Sequence, residues 1–200
     1  MASIGIMGGT FDPIHYGHLI LAEQAWEQLG LDKVLFVTAA DPPHKIGQAI
    51  TDAAARHKMM CLAIEGNEHF EPSTIEMERP GPSYTIDTLR EILGAYGDAT
   101  RIYLLLGADE AESFMSWRDP RGIMELATVV FANRPGCVLN ESAEIIPDDI
   151  TRKMVPLEMP GVDISSTDIR DPVKSGRSIR YLLPDVVEKY ILGNGLFRGL

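Results

Sequence analysis

The sequence of 200 residues lacks several features that mark common protein classes. It has two cysteines, Cys61 and Cys137, and no CxxC pair, so we expect no structural zinc site, and nothing argues for a disulfide. No window approaches the roughly 18 apolar residues of a membrane span. The apolar start at residues 1–7 is too short for a signal peptide. We therefore expect a cytoplasmic protein that does not bind membranes.

Basic residues are also scarce. The chain has 18 Lys and Arg against 29 Asp and Glu, which gives a formal net charge of −11. Such a charge repels nucleic acid as a whole, so we expect no DNA or RNA partner. An enzyme acting on nucleotides is still compatible with this charge, because a bound phosphate responds to local donors rather than to the net charge.

Short apolar segments alternate with helical patterns along the chain. The strands are predicted at residues 3–7, 34–38, 70–77, 101–106, 128–132 and 153–158. The helices are predicted at residues 17–30, 51–65, 85–95, 119–126 and 184–192. The first strand, helix and strand form a βαβ unit, which implies a parallel pair with a right-handed crossover. We predict one doubly wound, Rossmann-like α/β domain over residues 1–200, with a mostly parallel sheet.

The strongest functional signal is the segment Gly8-Gly-Thr-Phe-Asp-Pro-Ile-His-Tyr-Gly-His18, between the first strand and the first helix. Backbone N–H groups and the positive end of the helix dipole converge at such a position and bind anions. Gly8 and Gly9 allow close approach of a phosphate. His15 and His18 are three residues apart and can face one site, and a bound phosphate would raise their pKa values.

The alternative is that each histidine only caps or packs the helix. The two common nucleotide patterns, GxGxxG and GxxxxGK[ST], are absent. We therefore predict a phosphate-binding loop of a different kind over residues 8–18.

His15-Tyr-Gly-His18 resembles the HxGH motif of the adenylyltransferase and cytidylyltransferase superfamily. The longer GGTFDPIHxGH string is similar to the nicotinate-nucleotide branch of that superfamily. Further strings resemble this branch in order and approximate spacing: Pro42-Pro-His-Lys45, Ser83-Tyr-Thr85, Gly107-Ala-Asp109, Trp117, Arg134-Pro135, Ile164-Ser-Ser-Thr-Asp-Ile-Arg170, Ile179-Arg-Tyr-Leu-Leu-Pro184 and Tyr190-Ile191. Each string is weak alone, but together they span nearly the whole chain.

The resemblance implies an adenylyltransferase that converts ATP and nicotinate mononucleotide to nicotinate adenine dinucleotide and pyrophosphate. The groups implied to act on the reacting phosphates are His15, His18, Lys45 and Arg170. The groups implied to bind ATP are Gly8, Gly9, Thr10, Phe11, His18, Gly107, Asp109, Ser165, Ser166, Thr167 and Arg170. The groups implied to bind nicotinate mononucleotide are His15, Lys45, Tyr84, Thr85, Trp117 and Arg134. Mg²⁺ is expected to arrive with ATP, and no protein residue is expected to be a metal ligand, because the sequence has no convincing carboxylate cage.

Each of these residues also has a simpler explanation. Lys45 can reach a polyphosphate, or it can be a solvated surface lysine. Asp109 can accept hydrogen bonds from ribose hydroxyls, or it can cap the helix that follows. Trp117 offers a face for a pyridine ring, although a tryptophan is more often part of a core. Thr85 at a helix start can help to hold a carboxylate or act as an N-cap, and Arg134 can bind a phosphate or form a surface salt bridge.

The C-terminal part, residues 164–200, is expected to be mostly helical. Ser165-Ser-Thr167 and Arg170 offer hydroxyls and a guanidinium at a predicted helix start, which suits a second phosphate cradle. In the superfamily this segment corresponds to a mobile loop over the ATP phosphates. Asp171-Pro172 departs from the family pattern in a way that would shorten this helix or change the mobility of the loop. Ser113 stands where relatives often have a tyrosine.

Three other functions remain open from the sequence. A sister transferase would use pantetheine phosphate or nicotinamide mononucleotide instead of the acid. A nucleotide sensor would bind without reacting, although the intact histidine pair argues against this. A fragment of a class I aminoacyl-tRNA synthetase would share HxGH, but the chain lacks a KMSKS loop. Relatives often self-associate, so a homo-oligomer is possible.

Overall fold

The computed structural model describes residues 2–45, 47–133 and 147–199. Its sheet consists of β1 (Ser3–Gly9), β2 (Lys33–Thr38), β3 (Phe70–Ser73), β4 (Arg101–Leu106), β5 (Thr128–Asn133) and β6 (Val155–Glu158). The strand order is β3-β2-β1-β4-β5-β6, and every neighbouring pair is parallel. This is a doubly wound sheet whose strand order reverses between β1 and β4. The predicted fold class is confirmed, and the sheet is wholly parallel over the described strands.

Helices cover both faces of the sheet. They are α1 (Tyr16–Leu29), α2 (Ala53–Ile64), α3 (Ile75–Glu78), α4 (Thr85–Tyr96), α5 (Ala108–Glu112), α6 (Pro120–Leu126), α7 (Asp148–Thr151), α8 (Thr167–Lys174) and α9 (Asp185–Gly193), with short 3₁₀ turns at Pro43–Lys45 and Phe114–Ser116. Buried side chains of α1, α2, α8 and α9 form the core on one face. Those of α4, α5, α6 and α7 form the core on the other face. A sheet that is buried on both faces explains why β2 and β4 are apolar almost throughout.

The predicted strand at residues 70–77 is wrong beyond Ser73. The chain turns into the short helix α3 instead, where the carbonyl of Thr74 accepts hydrogen bonds from the N–H groups of Met77 at 2.8 Å and Glu78 at 3.0 Å. β3 lies at the edge of the sheet, where Pro72 costs no ladder hydrogen bond on its open side. Only the first four residues of the predicted strand, Phe70–Ser73, pair with β2.

Two smaller differences affect the loops. The region predicted as irregular at residues 133–150 ends in α7, and the last strand begins at Val155 rather than residue 153. The predicted loop at residues 41–45 contains the 3₁₀ turn Pro43–Lys45.

The strand register opens the site. β1 pairs with β4 from Ser3–Arg101 to Ile6–Leu104, whereas its pairing with β2 continues to Gly9–Thr38. Gly8 and Gly9 therefore lie past the point where β1 and β4 separate. Ligands of doubly wound sheets bind in a crevice at this position.

In the part of the chain that the structure describes, no helix has the length and apolar character needed to cross a membrane.

Candidate active site

A cleft lies at the carboxyl ends of β1 and β4 and consists of connected cavities. The central cavity, of about 310 Å³, is lined by Gly8, Gly9, Thr10, Lys45, Asp109 and Trp117, among others. The histidine cavity, also about 310 Å³, shares Gly8, Lys45 and Asp109 with it. The tryptophan cavity, about 300 Å³, shares Thr85 and Trp117 with the central one. Two ligands could therefore lie side by side with their reactive ends in the central cavity.

The structure brings together the predicted residues that it describes. The histidine cavity is lined by Gly8, His15, His18, Lys45, Gly107, Asp109, Ser165, Ser166, Thr167 and Arg170. The tryptophan cavity is lined by Tyr84, Thr85 and Trp117. Phe11 lines a smaller cavity of about 170 Å³ beside His18, Lys45 and Arg170. Arg134 lies outside the described residues.

The histidine pair lies at the start of α1. His15 is the N-cap residue and is 6% exposed. Its backbone N–H donates to Nδ1 of His18 at 3.3 Å, and the two ring centroids are 3.9 Å apart. A Cβ on Gly17 would lie 3.0 Å from ring atoms of His15. A glycine between the histidines is therefore part of how the pair packs.

Both imidazoles are neutral near pH 7 in the ligand-free protein. Burial lowers the pKa of His15 to about 4, and the nearby Asp168 carboxylate only partly opposes this. Burial and the adjacent His15 hold the pKa of His18 well below its ordinary value. Nδ1 of His15 is buried and has no hydrogen-bond partner among the described residues. The pair therefore offers neutral imidazole donors until a bound phosphate raises the pKa values.

The side chain of Phe11 packs against the phosphate loop. Its ring is 2% exposed and meets the ring of His18 edge-on at a centroid distance of 5.2 Å. A Cβ on Gly9 would lie 2.8 Å from the Phe11 ring. Any contact of Phe11 with a nucleotide must come mainly from its backbone, and Gly9 makes room for this ring.

Helix α8 docks on the phosphate loop. Nη1 of Arg170 donates to the carbonyl of Asp12 at 2.8 Å, and Oγ of Ser166 donates to the carbonyl of Pro13 at 2.9 Å. The helix continues through Pro172 to Lys174, so the proline does not shorten it at that point.

The start of α8 is already hydrogen-bonded. The N–H and hydroxyl of Ser165 donate to the Asp168 carboxylate at 2.8 and 2.6 Å, and these bonds lower the pKa of Asp168. A phosphate bound to Ser165 would have to displace Asp168.

The tryptophan cavity combines an aromatic ring with a helix start. Trp117 is half-buried, 5.7 Å from the ring of Phe114 and 6.0 Å from that of His44 between centroids. α4 begins at Thr85, and within the described residues the side chain of Tyr84, its N-cap, makes no capping hydrogen bond. The N-cap is thus Tyr84 and not Thr85. The first N–H groups of this helix can donate hydrogen bonds to an anion beside Trp117.

The sequence analysis assigned no role to three residues of this region. The hydroxyl of Ser83 accepts hydrogen bonds from the N–H groups of Ala40 at 3.0 Å and Asp41 at 3.3 Å. Glu110 lines the central and histidine cavities together with Lys45. Burial raises the pKa of the Glu110 carboxyl, the Asp109 charge raises it further, and Lys45 opposes both.

Arg56 is the third of these residues. It is 0% exposed and its guanidinium binds four backbone carbonyls at the base of the cleft. The available signal was an arginine on the same helical face as the core residues Met59 and Met60.

Among the residues that the structure describes, no group of three or more His, Cys, Asp or Glu side chains could hold a metal ion. Three carboxylates line the central cavity: Glu76, Asp109 and Glu110.

Comparisons with known proteins identify the family of the chain. The Cytidylyltransferase-like family model matches residues 6–171. A Moorella thermoacetica relative named "Probable nicotinate-nucleotide adenylyltransferase" is 44% identical over 198 residues, covering 98% of this chain and 91% of the relative. A Thermus thermophilus relative of the same name is 46% identical over 195 residues, covering 98% and 99%.

A solved structure supports the fold. Plasmodium falciparum nicotinic acid mononucleotide adenylyltransferase complexed with NaAD superposes with a TM-score of 0.80 at 18% identity, and the match covers 98% of each chain. The Moorella and Thermus relatives, at 44% and 46% identity over nearly the full length, show the family of this chain, whereas the Plasmodium structure at 18% identity shows only its fold. The chain therefore belongs to the nicotinate-nucleotide adenylyltransferase family, within the cytidylyltransferase-like nucleotidyltransferases.

Proposed function

We propose that the protein transfers the adenylyl group of ATP to nicotinate mononucleotide, producing nicotinate adenine dinucleotide and pyrophosphate for NAD biosynthesis in the cytoplasm. The observation that carries this proposal is the joined cleft. A phosphate-binding loop with two histidines lies on one side, and an aromatic cavity with an uncapped helix start lies on the other.

ATP fits the histidine cavity. Its phosphates would lie against the backbone of Gly8 and Gly9 and the rings of His15 and His18, since helix starts bind phosphate. Asp109 lines the same cavity after β4, where its carboxylate can accept hydrogen bonds from ribose hydroxyls.

Nicotinate mononucleotide fits the tryptophan cavity. The pyridine ring would pack on Trp117, and its carboxylate would meet N–H groups at the start of α4 near Thr85. Arg118 also lines this cavity, with its guanidinium 4.5 Å from the centre of the Tyr84 ring. A donor-rich cavity of this kind favours an acid over an amide.

The reaction needs no protein nucleophile. An oxygen of the mononucleotide phosphate attacks the α-phosphorus of ATP, the bond from that phosphorus to the β-phosphate oxygen breaks, and pyrophosphate leaves with the electron pair. The protein contributes alignment and charge stabilisation. Lys45 lines both the central and histidine cavities, so its ammonium can reach the phosphates of both substrates.

Arg170 adds a second cation from α8 beside His18 and Lys45. The imidazoles of His15 and His18 donate hydrogen bonds and take up protons as phosphate charge accumulates beside them. When bound with ATP, Mg²⁺ supplies further neutralisation of the phosphate charge. The hard oxygen donors of Asp109 and Glu110 suit that ion.

The rival functions differ in what they predict. Pantetheine phosphate has no ring to pack on Trp117, and a sensor has no need of Lys45 between two ligand cavities. The test is to incubate the protein with Mg-ATP and, separately, nicotinate mononucleotide, nicotinamide mononucleotide or pantetheine phosphate, and to follow pyrophosphate. We expect pyrophosphate to be released fastest with nicotinate mononucleotide. Release with none of them would refute adenylyl transfer to this class of acceptor.

A further inference from the structure

The buried guanidinium of Arg56 joins the loops that follow the neighbouring strands β1 and β2. Its Nε donates to the carbonyl of Thr51 at 2.7 Å, and its Nη1 donates to the carbonyls of Thr10 at 2.6 Å and Ala39 at 2.7 Å. Its Nη2 donates to the carbonyl of Ala40 at 3.2 Å. A buried charge of this kind is stable only when such partners satisfy it.

The positions of these carbonyls define what Arg56 connects. Ala39 and Ala40 directly precede the segment 41–50, which carries Lys45, and Thr51 directly follows it. One side chain therefore holds both ends of the Lys45 loop together. The fourth carbonyl, that of Thr10, belongs to the phosphate loop, so Arg56 also fixes the distance between the two loops.

Neighbouring contacts strengthen the same junction. The N–H of Thr51 donates to Oδ2 of Asp12 at 3.3 Å, which ties the end of the Lys45 loop to the phosphate loop a second time. Ser83 holds the start of the Lys45 loop from the side of α4, through its bonds to the N–H groups of Ala40 and Asp41. The Lys45 loop is thus anchored to both substrate cavities at its base.

We propose that Arg56 is a positioning residue of the adenylyl-transfer reaction, acting by setting Lys45 in register with the phosphate loop. The proposal rests on the proposed function. Arg56 does not touch the substrates, because its side chain is buried beneath the cleft and its bonded partners among the described residues are all backbone carbonyls. Its planar fork of five N–H donors is suited to partners spread over three segments, and a lysine cannot reproduce it.

The first test compares Arg56→Lys with Met60→Ala. Arg56→Lys keeps the charge but cannot bind all four carbonyls. Met60 lies on the same helix, is also 0% exposed and packs in the apolar core, so its truncation lowers stability but removes none of the four Arg56 hydrogen bonds. Both variants are assayed at a temperature where circular dichroism shows them fully folded. A displacement of about 1 Å can cost ~10²-fold in rate.

We expect Arg56→Lys to lower kcat by at least ~10-fold with little change in the two KM values, because alignment is lost rather than ground-state binding. Met60→Ala should lower Tm and leave kcat near that of the wild type. Equal kcat for folded Arg56→Lys and wild type would overturn the proposal and assign Arg56 a purely structural role.

The second test asks whether Arg56 acts through Lys45. If it does, Arg56→Lys combined with Lys45→Ala should be no slower than Lys45→Ala alone. If the double variant instead shows the product of the two single losses in kcat, Arg56 acts by another route and the proposal is overturned. If Arg56→Lys does not fold, Arg56→Gln, which keeps two side-chain N–H donors without a buried charge, replaces it in both tests with the same expected and contrary results. A wild type that releases no pyrophosphate refutes the proposed function itself, which is a separate outcome.

Discussion

Lowering the pH should destabilise this protein through His15 in a window that the structure defines. The folded pKa of His15 is about 4, against an ordinary value of 6.5, because the ring is buried at the start of α1. Between these two values the unfolded chain binds a proton at this position and the folded chain does not. The free energy of unfolding therefore rises with pH across the window and falls as the solution is acidified from about pH 6.5 to 4.

The magnitude follows from proton linkage. One additional proton in the unfolded state changes the free energy of unfolding by about 1.4 kcal/mol for each pH unit. Across the window from 6.5 to about 4, His15 alone should cost roughly 3 kcal/mol of stability. Above that window its contribution is constant, and below it the contribution levels off. A loss of this size is a large fraction of the stability of an ordinary domain.

The assay is urea unfolding of the wild type and His15→Gln at pH steps through the window. Glutamine cannot titrate, and the two proteins share every other ionisable group. The wild type should lose stability on acidification faster than His15→Gln, by roughly 3 kcal/mol in total. The imidazole signals of the wild type, followed by NMR, should give a midpoint for His15 near 4.

The same reasoning links protonation to the reaction. Phosphate placed beside His15 and His18 should raise both pKa values, so that ATP binding takes up protons in mildly acidic buffer. Calorimetry in two buffers of different ionisation enthalpy measures this uptake. A His15 midpoint near 6.5 in the free protein, or a stability difference between the two proteins that does not vary with pH, would refute the reasoning.

Three further predictions concern the ligand groups. His18→Ala should lower kcat by at least ~10²-fold, the scale of losing one transition-state donor, and a variant with full specific activity but a much lower Tm would make His18 merely structural. Asp109→Ala should impair the use of ATP, and the wild type should use 2′-deoxy- and 3′-deoxy-ATP poorly; equal rates with all three nucleotides would exclude the ribose contact. Nicotinate mononucleotide should exceed nicotinamide mononucleotide in kcat/KM by ~10²-fold or more, because an amide would leave donors of the cavity unpaired. Trp117→Ala should impair the use of both mononucleotides. Equal kcat/KM values for the two mononucleotides with the wild type would reject acid selectivity.

Several parts of the fold could be predicted because their signals are local. The run from Ser3 to Thr38 contains a buried strand, a glycine pair, a helix ended by Gly30 and a second strand, and the structure confirms this βαβ unit. The edge strand β3 was predicted too long, since the chain turns into α3 at Ile75. Only pairing with β2, which stops at Ser73, distinguishes the two.

The site also contains residues that local sequence strings predict and residues that they do not. The histidine pair and Lys45 lie in short strings whose chemistry is readable, and the structure brings them to one cleft. The roles of Arg56 and Ser83 were not readable, because each acts on backbone atoms distant in sequence. Thr10 is 46 residues from Arg56, and Ala40 is 43 residues from Ser83. No local pattern encodes such a contact.

The sequence by itself determined the alternation of strands and helices and the chemical types gathered in the loops, since periodicity and glycine placement act over a few residues. Only the tertiary structure decided that β1 and β4 separate after Ile6, which opens the cleft. It also decided that both imidazoles are neutral and that one guanidinium binds the Lys45 loop to the phosphate loop. Desolvation and carbonyl geometry arise only when distant segments pack together, and they set the protonation and alignment of groups that the sequence merely supplies.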